Sequence, residues 1–214
     1  MGRRKKEPRS VHRENISSAA ATLFMEKGIS QTSMDDIAKA AGYSKAMLYV
    51  YFESKEEIVS VLVLDSMKRL CSYLSSAIQQ QESTREKYDL ICQELVRYQE
   101  EYPFYFNMTL EKINIQFENQ NTYPEEKETF QVGEEISKMI KSVLLSGMEK
   151  GDLRTDLEIA PTSFSCWGML AGLIQLAASK EEYIKQSMGQ SKEQFLQYGF
   201  DMFYQSIANT EAKQ

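Results

Sequence analysis

The chain has 214 residues, one histidine and a formal net charge of −6, from 25 Lys/Arg against 31 Asp/Glu. A hydrophobic fraction of 42% with 26% charged residues is that of a soluble globular protein, of one large domain or of a small domain beside a larger one. No apolar run reaches the roughly 18 residues of a membrane helix. The longest, Phe164 to Ala178, is broken by Ser165 and Gln175, so no membrane is expected as a partner.

The basic start, GRRKKEPRS, leads into no apolar segment and does not read as a secretory signal. Cys71, Cys92 and Cys166 stand isolated and odd in number, without a CxxC pair or a Cys/His cluster. Neither a disulfide framework nor a metal site is expected, and a reducing cytoplasm suits such a chain. No nucleophile–base motif and no phosphate-cradling glycine loop is visible, so the chain reads as neither an enzyme nor a cofactor protein. Its lone histidine, His12, reads as an exposed bystander. Charge is unevenly spread: residues 1–55 carry a balance of +4 and the remainder −10. A basic first quarter on an acidic body points to an anionic partner for the N-terminal part alone.

Apolar residues recur at three- and four-residue spacing almost throughout, and only four prolines and ten glycines interrupt them. The pattern predicts an all-α chain of about nine helices. The first carries Ile16, Ala20, Leu23 and Phe24 and stops at Gly28. Ser33 with Asp36 opens a short helix that Gly42 closes, and Ser44 caps a second short helix to about Tyr51. Ser54 with Glu57 opens a long fourth helix through Ile58 to Ile78. Ser83 with Glu86 opens a fifth, interrupted at Pro103. The sixth carries Phe106, Leu110, Ile113 and Phe117. The seventh starts at Pro124 and ends at Gly151, the eighth starts near Pro161, and Ser191 with Gln194 caps the ninth. The expected division is a three-helix unit at 1–55 and a larger helical unit at 56–214.

Two short helices joined at Gly42 behind a packing helix have the layout of a helix-turn-helix, whose second helix enters the major groove of DNA. Leu48 and Phe52 read as core. Lys45, Met47, Tyr49 and Tyr51 read as projecting from the second helix, with Lys45 and Met47 toward bases. Hydroxyls of Thr32, Ser33, Ser44, Tyr49 and Tyr51, with the Lys55 amine, read as a clamp on phosphates. The tail residues Arg3, Arg4, Lys5, Lys6 and Arg9 read either as a solvated end or as a phosphate grip.

The run Thr32, Ser33, Ile37, Ala38, Ala41, Gly42, then Ser44, Leu48, Tyr49, Tyr51, Phe52, then Ser54, Lys55, Glu56 resembles the signature of the TetR family of transcriptional regulators. The similarity extends over roughly residues 10–65. Ala46 and Met47 depart from the modest side chains frequent there, and Met47 suits contact with a thymine methyl. The resemblance implies a ligand-sensing and dimerising C-terminal domain, and a repressor released from operator DNA by a small molecule.

Independent residues support that body. The eighth helix shows no polar face, and Gly168 and Gly172 lie one turn apart, inviting close approach of another helix. With Phe195 and Met202 of the last helix they predict a four-helix interface in a homodimer. Tyr98, Phe104, Met108 and Trp167 suit an apolar pocket or an ordinary core, and Gln175 and Glu111 are polar on apolar helices. Glu111 would favour a cationic or hydrogen-bond-donating aromatic ligand. The rival reading is a DNA-binding regulator governed by a protein partner or by cysteine oxidation, with no small-molecule effector.

Overall fold

The computed structural model describes residues 7–78, 83–111 and 122–209. Among these residues the chain is ten α-helices with one isolated antiparallel bridge, Leu153 to Ala208. They are α1 (Arg9–Lys27), α2 (Met34–Ala41), α3 (Lys45–Tyr51), α4 (Lys55–Ile78), α5 (Thr84–Glu101), α6 (Pro103–Met108), α7 (Pro124–Glu149), α8 (Ile159–Ser179), α9 (Glu181–Tyr183) and α10 (Lys192–Ile207). The helix absent from the sequence reading is α9, which runs into a π turn at Ile184–Met188 and is too short to carry a period. The predicted sixth helix stops early, at Met108, and Ile113 and Phe117 lie outside the described residues.

The chain clusters into two compact units that interleave in sequence, residues 1–66 with 107–130, and 67–106 with 131–214. α4 and α7 each contribute to both.

In the first unit the helix starts are fixed by short polar side chains. Ser33 accepts the Asp36 N–H while the Asp36 carboxylate accepts the Ser33 N–H, a reciprocal capping box worth about 1 kcal/mol. Ser44 accepts the Met47 N–H at the start of α3, and Ser54 accepts the Glu57 N–H at the start of α4. Between α2 and α3 the chain reverses at Gly42, whose φ of 75° is the left-handed backbone that glycine adopts without strain. α1, α2 and α3 pack on one another around Ile16, Ala20, Phe24, Ile37 and Leu48, all buried.

The second unit is built on α5, α8 and α10, which pack pairwise. Leu170, Ala171, Ile174 and Ala177 form the buried stripe of α8. Gly199 on α10 lies so near the Leu173 side chain that an added Cβ would overlap it. A satellite cluster of Leu144, Leu153 and Ile207 closes the end of α7 against the end of α10. α8 starts two residues earlier than Pro161, and at 21 residues it is long and apolar enough to cross a membrane by length and composition. Ser165 and Gln175, which break its apolar run, lie within it. One such helix is weak evidence of a membrane span, and α8 has a stripe packed on protein.

Candidate nucleic-acid interface

α3 is seven residues long and divides cleanly. Leu48, Tyr51 and the following Phe52 are buried, at 0%, 6% and 1% exposure. Lys45, Ala46, Met47, Tyr49 and Val50 face solvent. The outward face therefore mixes one cation, one phenol and three apolar groups, which suits base edges and thymine methyls in a major groove. Val50 was not singled out in the sequence, although its position four residues after Ala46 places it on that face.

Lys45 pairs at 2.7 Å with Asp35 on α2, both more than half exposed. That hydrogen bond raises the Lys45 pKa, and water screens so exposed a pair that it contributes little to stability. Ser33 and Ser44 are exposed at their caps; the Ser33 hydroxyl donates to the Asp36 carboxylate at 2.7 Å, and the Ser44 hydroxyl accepts the Met47 N–H. The Asp36 carboxyl is held well below the usual carboxylate range, first by the Ser33 backbone N–H and then by Lys27 at 2.9 Å.

Three expected phosphate contacts are committed elsewhere in the unit. Thr32 is buried and its hydroxyl donates to the Gly28 carbonyl at 2.8 Å. The Lys55 amine donates to the carbonyls of Ile29 and Thr32, at 2.7 and 2.9 Å, and so ties the start of α4 to the α1–α2 loop. Tyr51 does not project. Its ring stacks against His12, with centroids 4.9 Å apart. Nor is His12 a bystander, since its Nδ1 lies 2.7 Å from the Tyr43 hydroxyl. It thereby links α1 to the turn before α3. Arg9 donates to the Tyr51 carbonyl, and the rest of the basic tail, Arg3 to Lys6, lies outside the described residues.

The expected ligand residues divide between the two units. Met108, which is buried, and Glu111, which is exposed, belong to the first. Glu111 misses the stripe of Phe104 and Met108 because α6 ends at Met108 and the chain turns. In the second unit Tyr98, fully buried, and Trp167, half-buried, both flank Phe106, with centroids at 5.6 and 6.2 Å. Phe104 packs edge-on against Tyr105, and Gln175 is half-buried on α8. The sequence reading missed Arg69, whose guanidinium sits 4.6 Å from the Tyr102 ring centre and 4.9 Å from that of Tyr105. Arginine–aromatic pairing across separate helices leaves no local spacing to detect.

The expected dimer residues lie on an apolar surface. Phe164 is 81% exposed, Tyr198 64% and Met202 50%, and an added Cβ at Gly168 or Gly172 would meet nothing within 4 Å. Phe195 is half-buried. The thiols are quiet: burial pushes the Cys92 pKa up to about 12 and raises those of Cys71 and Cys166.

A capped helix, a left-handed glycine turn and a seven-residue helix with a buried and an outward face define a helix-turn-helix protein. Residues 16–62 match the model of bacterial regulatory proteins, tetR family. The biofilm operon icaADBC HTH-type negative transcriptional regulator IcaR of Staphylococcus aureus is 33% identical over 114 residues, 53% of this chain and 56% of that protein. The chain thus aligns with about half the length of that relative. PfmR, a TetR family transcriptional regulator of Thermus thermophilus, superposes with a TM-score of 0.65 at 26% identity, covering 89% of this chain and 97% of that one. FadR of Bacillus subtilis, solved in complex with stearoyl-CoA, superposes with a TM-score of 0.65 at 16% identity over 89% and 97%. Residues 16–62 thus resemble the DNA-binding part of TetR family regulators, and the fold is that of a solved member of the family.

Proposed function

We propose that the protein is a cytoplasmic transcriptional repressor that binds a palindromic operator as a homodimer and is released by a small-molecule effector. The observation that carries the reading is the outward face of α3, where Lys45, Met47, Tyr49 and Val50 are exposed on a helix anchored by buried Leu48 and Phe52. Ser33 and Ser44 offer the flanking phosphate contacts. The apolar surface of α8 and α10 supports two-fold pairing, since solvated surfaces of this composition are normally covered by protein. Repression is supported by the likeness to IcaR, a negative transcriptional regulator. An effector is in keeping with the FadR complex and with the aromatic lining of the second unit. Cysteine oxidation is disfavoured, because thiols with raised pKa values form little thiolate at neutral pH.

Selection of duplexes by the purified protein, followed by footprinting, tests this reading. The expected product is a near-palindrome with half-sites on successive major-groove faces, about 34–36 Å apart per helical turn. Affinity should fall steeply with salt. Recovery of no preferred sequence would remove the operator from the account.

A further inference from the structure

The first unit holds a nearly dry charge cluster that the DNA-binding surface does not use. Arg13 of α1 donates from Nη1 to Glu57 Oε1 at 2.6 Å and to the Tyr51 carbonyl at 2.7 Å, and from Nη2 to Glu125 Oε1 at 2.6 Å. Its guanidinium lies 4.1 Å from the centre of the Phe52 ring. The side chains of Arg13, Glu57 and Glu125 are 20%, 10% and 18% exposed. Two carboxylates thus share the Arg13 guanidinium, and Arg9 donates to the same Tyr51 carbonyl as Arg13.

The oxygens are not equally served. Glu57 uses its second one, Oε2, to accept the Glu53 N–H at 2.7 Å. Glu125 Oε2 is buried and has no hydrogen-bond partner. One turn further along α7, Thr129 is 2% exposed, and its hydroxyl also has no partner, not even a backbone carbonyl of its own helix. Residues four apart share a helix face, so both side chains with an unpartnered oxygen leave α7 on the same side. The start of α7 is pinned by Tyr123, whose hydroxyl lies 2.8 Å from Ser54 Oγ, so the pair is held in place. A buried polar atom left unpaired costs free energy that a matching ligand group recovers.

We propose that Glu125 Oε2 and Thr129 Oγ1 receive the primary ammonium group of the effector, and that Arg13 passes the event to α3. The inference deepens the effector reading given above and rests on it. An unpaired carboxylate oxygen selects a cation, and a second acceptor oxygen one turn away selects one with several N–H donors. Ca²⁺ takes about six to eight oxygens, far more than these two. No cluster of three or more His, Cys, Asp or Glu stands among the described residues. The carboxylate expected to meet a cationic ligand, Glu111, is exposed, and Glu125 takes that role. An ammonium on Oε2 competes with Arg13 for the charge of the same carboxylate. The hold of Arg13 on Glu125 weakens, and with it the bond from Arg13 to the Tyr51 carbonyl that closes α3.

Thr129→Val tests the site without relying on a known effector, because it replaces an unpaired hydroxyl by a methyl of similar size. Unliganded, the variant should unfold about 2–4 °C above the wild type, the shift expected when one such buried group is removed from a protein of this length. n-Hexylammonium should raise the wild-type midpoint, whereas hexyltrimethylammonium, which has no N–H, and hexanol, which has no charge, should not. Affinity for n-hexylammonium should drop about tenfold in Thr129→Val, the loss of roughly one hydrogen bond, and further in Glu125→Gln. A lowered midpoint of unliganded Thr129→Val, or equal responses to n-hexylammonium in variant and wild type, would overturn the site. If n-hexylammonium binds through these residues but leaves operator affinity unchanged, the link to Arg13 and the effector reading both fall. If other compounds release the operator while n-hexylammonium does not bind, the site falls and the effector reading stands.

Discussion

Helices α3 and α8 both leave apolar side chains in water, yet their surfaces differ in kind. α3 sets Met47, Tyr49 and Val50 beside Lys45, with capping serines at its start and at the start of α2. α8 shows Phe164, Met169 and Leu176 with no charged residue anywhere between Ile159 and Ser179, and two glycines lie open among them. A surface for nucleic acid needs cations and hydrogen-bonding groups interleaved with apolar ones, because phosphates and base edges are polar. A surface for another copy of the chain needs area and close approach, and charge there is a cost. Exposure alone does not separate these two purposes; the company each exposed residue keeps does.

The largest effect should come from placing a charge on the second surface. A Cβ added at Gly172 meets nothing within 4 Å, so the isolated fold should accept Gly172→Glu. In a dimer the carboxylate would be desolvated without a partner, at about 3–5 kcal/mol. Sedimentation at micromolar concentration should show monomers, with operator binding lost. Dimers of unchanged stability would mean that α8 faces something else.

Next in size is the inner side of α3. Leu48 is fully buried, and Leu48→Ala should destabilise the first unit by about 2–5 kcal/mol through lost burial and a cavity. Chemical denaturation would register it; a loss below about 0.5 kcal/mol would contradict the division of the helix into two faces.

Much of this was legible before any coordinates. The caps at Ser33, Ser44, Ser83 and Ser191 were readable because each satisfies its helix start within three residues, and the structure makes the expected bonds. The same is true of the turn at Gly42. The places of Tyr51, Lys55 and His12 were not readable, since each depends on a partner in another helix or loop, up to 39 residues away for His12 and Tyr51. A helical pattern says which residues share a face, and only packing says whether a face is covered. Glu111 failed for a related reason, because the spacing assumed a helix that ends at Met108.

Smaller effects sharpen the local account. Ser33→Ala removes the acceptor for the Asp36 N–H and should cost about 1 kcal/mol, measurable by urea unfolding. No loss would show that α2 is held by packing alone. The Asp36 carboxyl, depressed by the Ser33 N–H and by Lys27, predicts the sign of a pH effect. Its folded pKa lies below its ordinary value of 3.8, so its contribution is fully present above about pH 4 and declines as pH falls from there. Asp36→Asn should flatten the stability profile below about pH 4, and an unchanged profile would remove Asp36 from the account.

The most direct test of the central claim uses Tyr49, exposed on the outer side of the helix whose inner side carries Leu48. Affinity for a selected duplex and the unfolding midpoint are measured together for wild type and Tyr49→Ala. The account predicts an unchanged midpoint with binding weakened by about 1–3 kcal/mol, the scale of a single recognition contact. Binding equal to wild type, or a loss explained wholly by a lower midpoint, would contradict the assignment of this face to DNA.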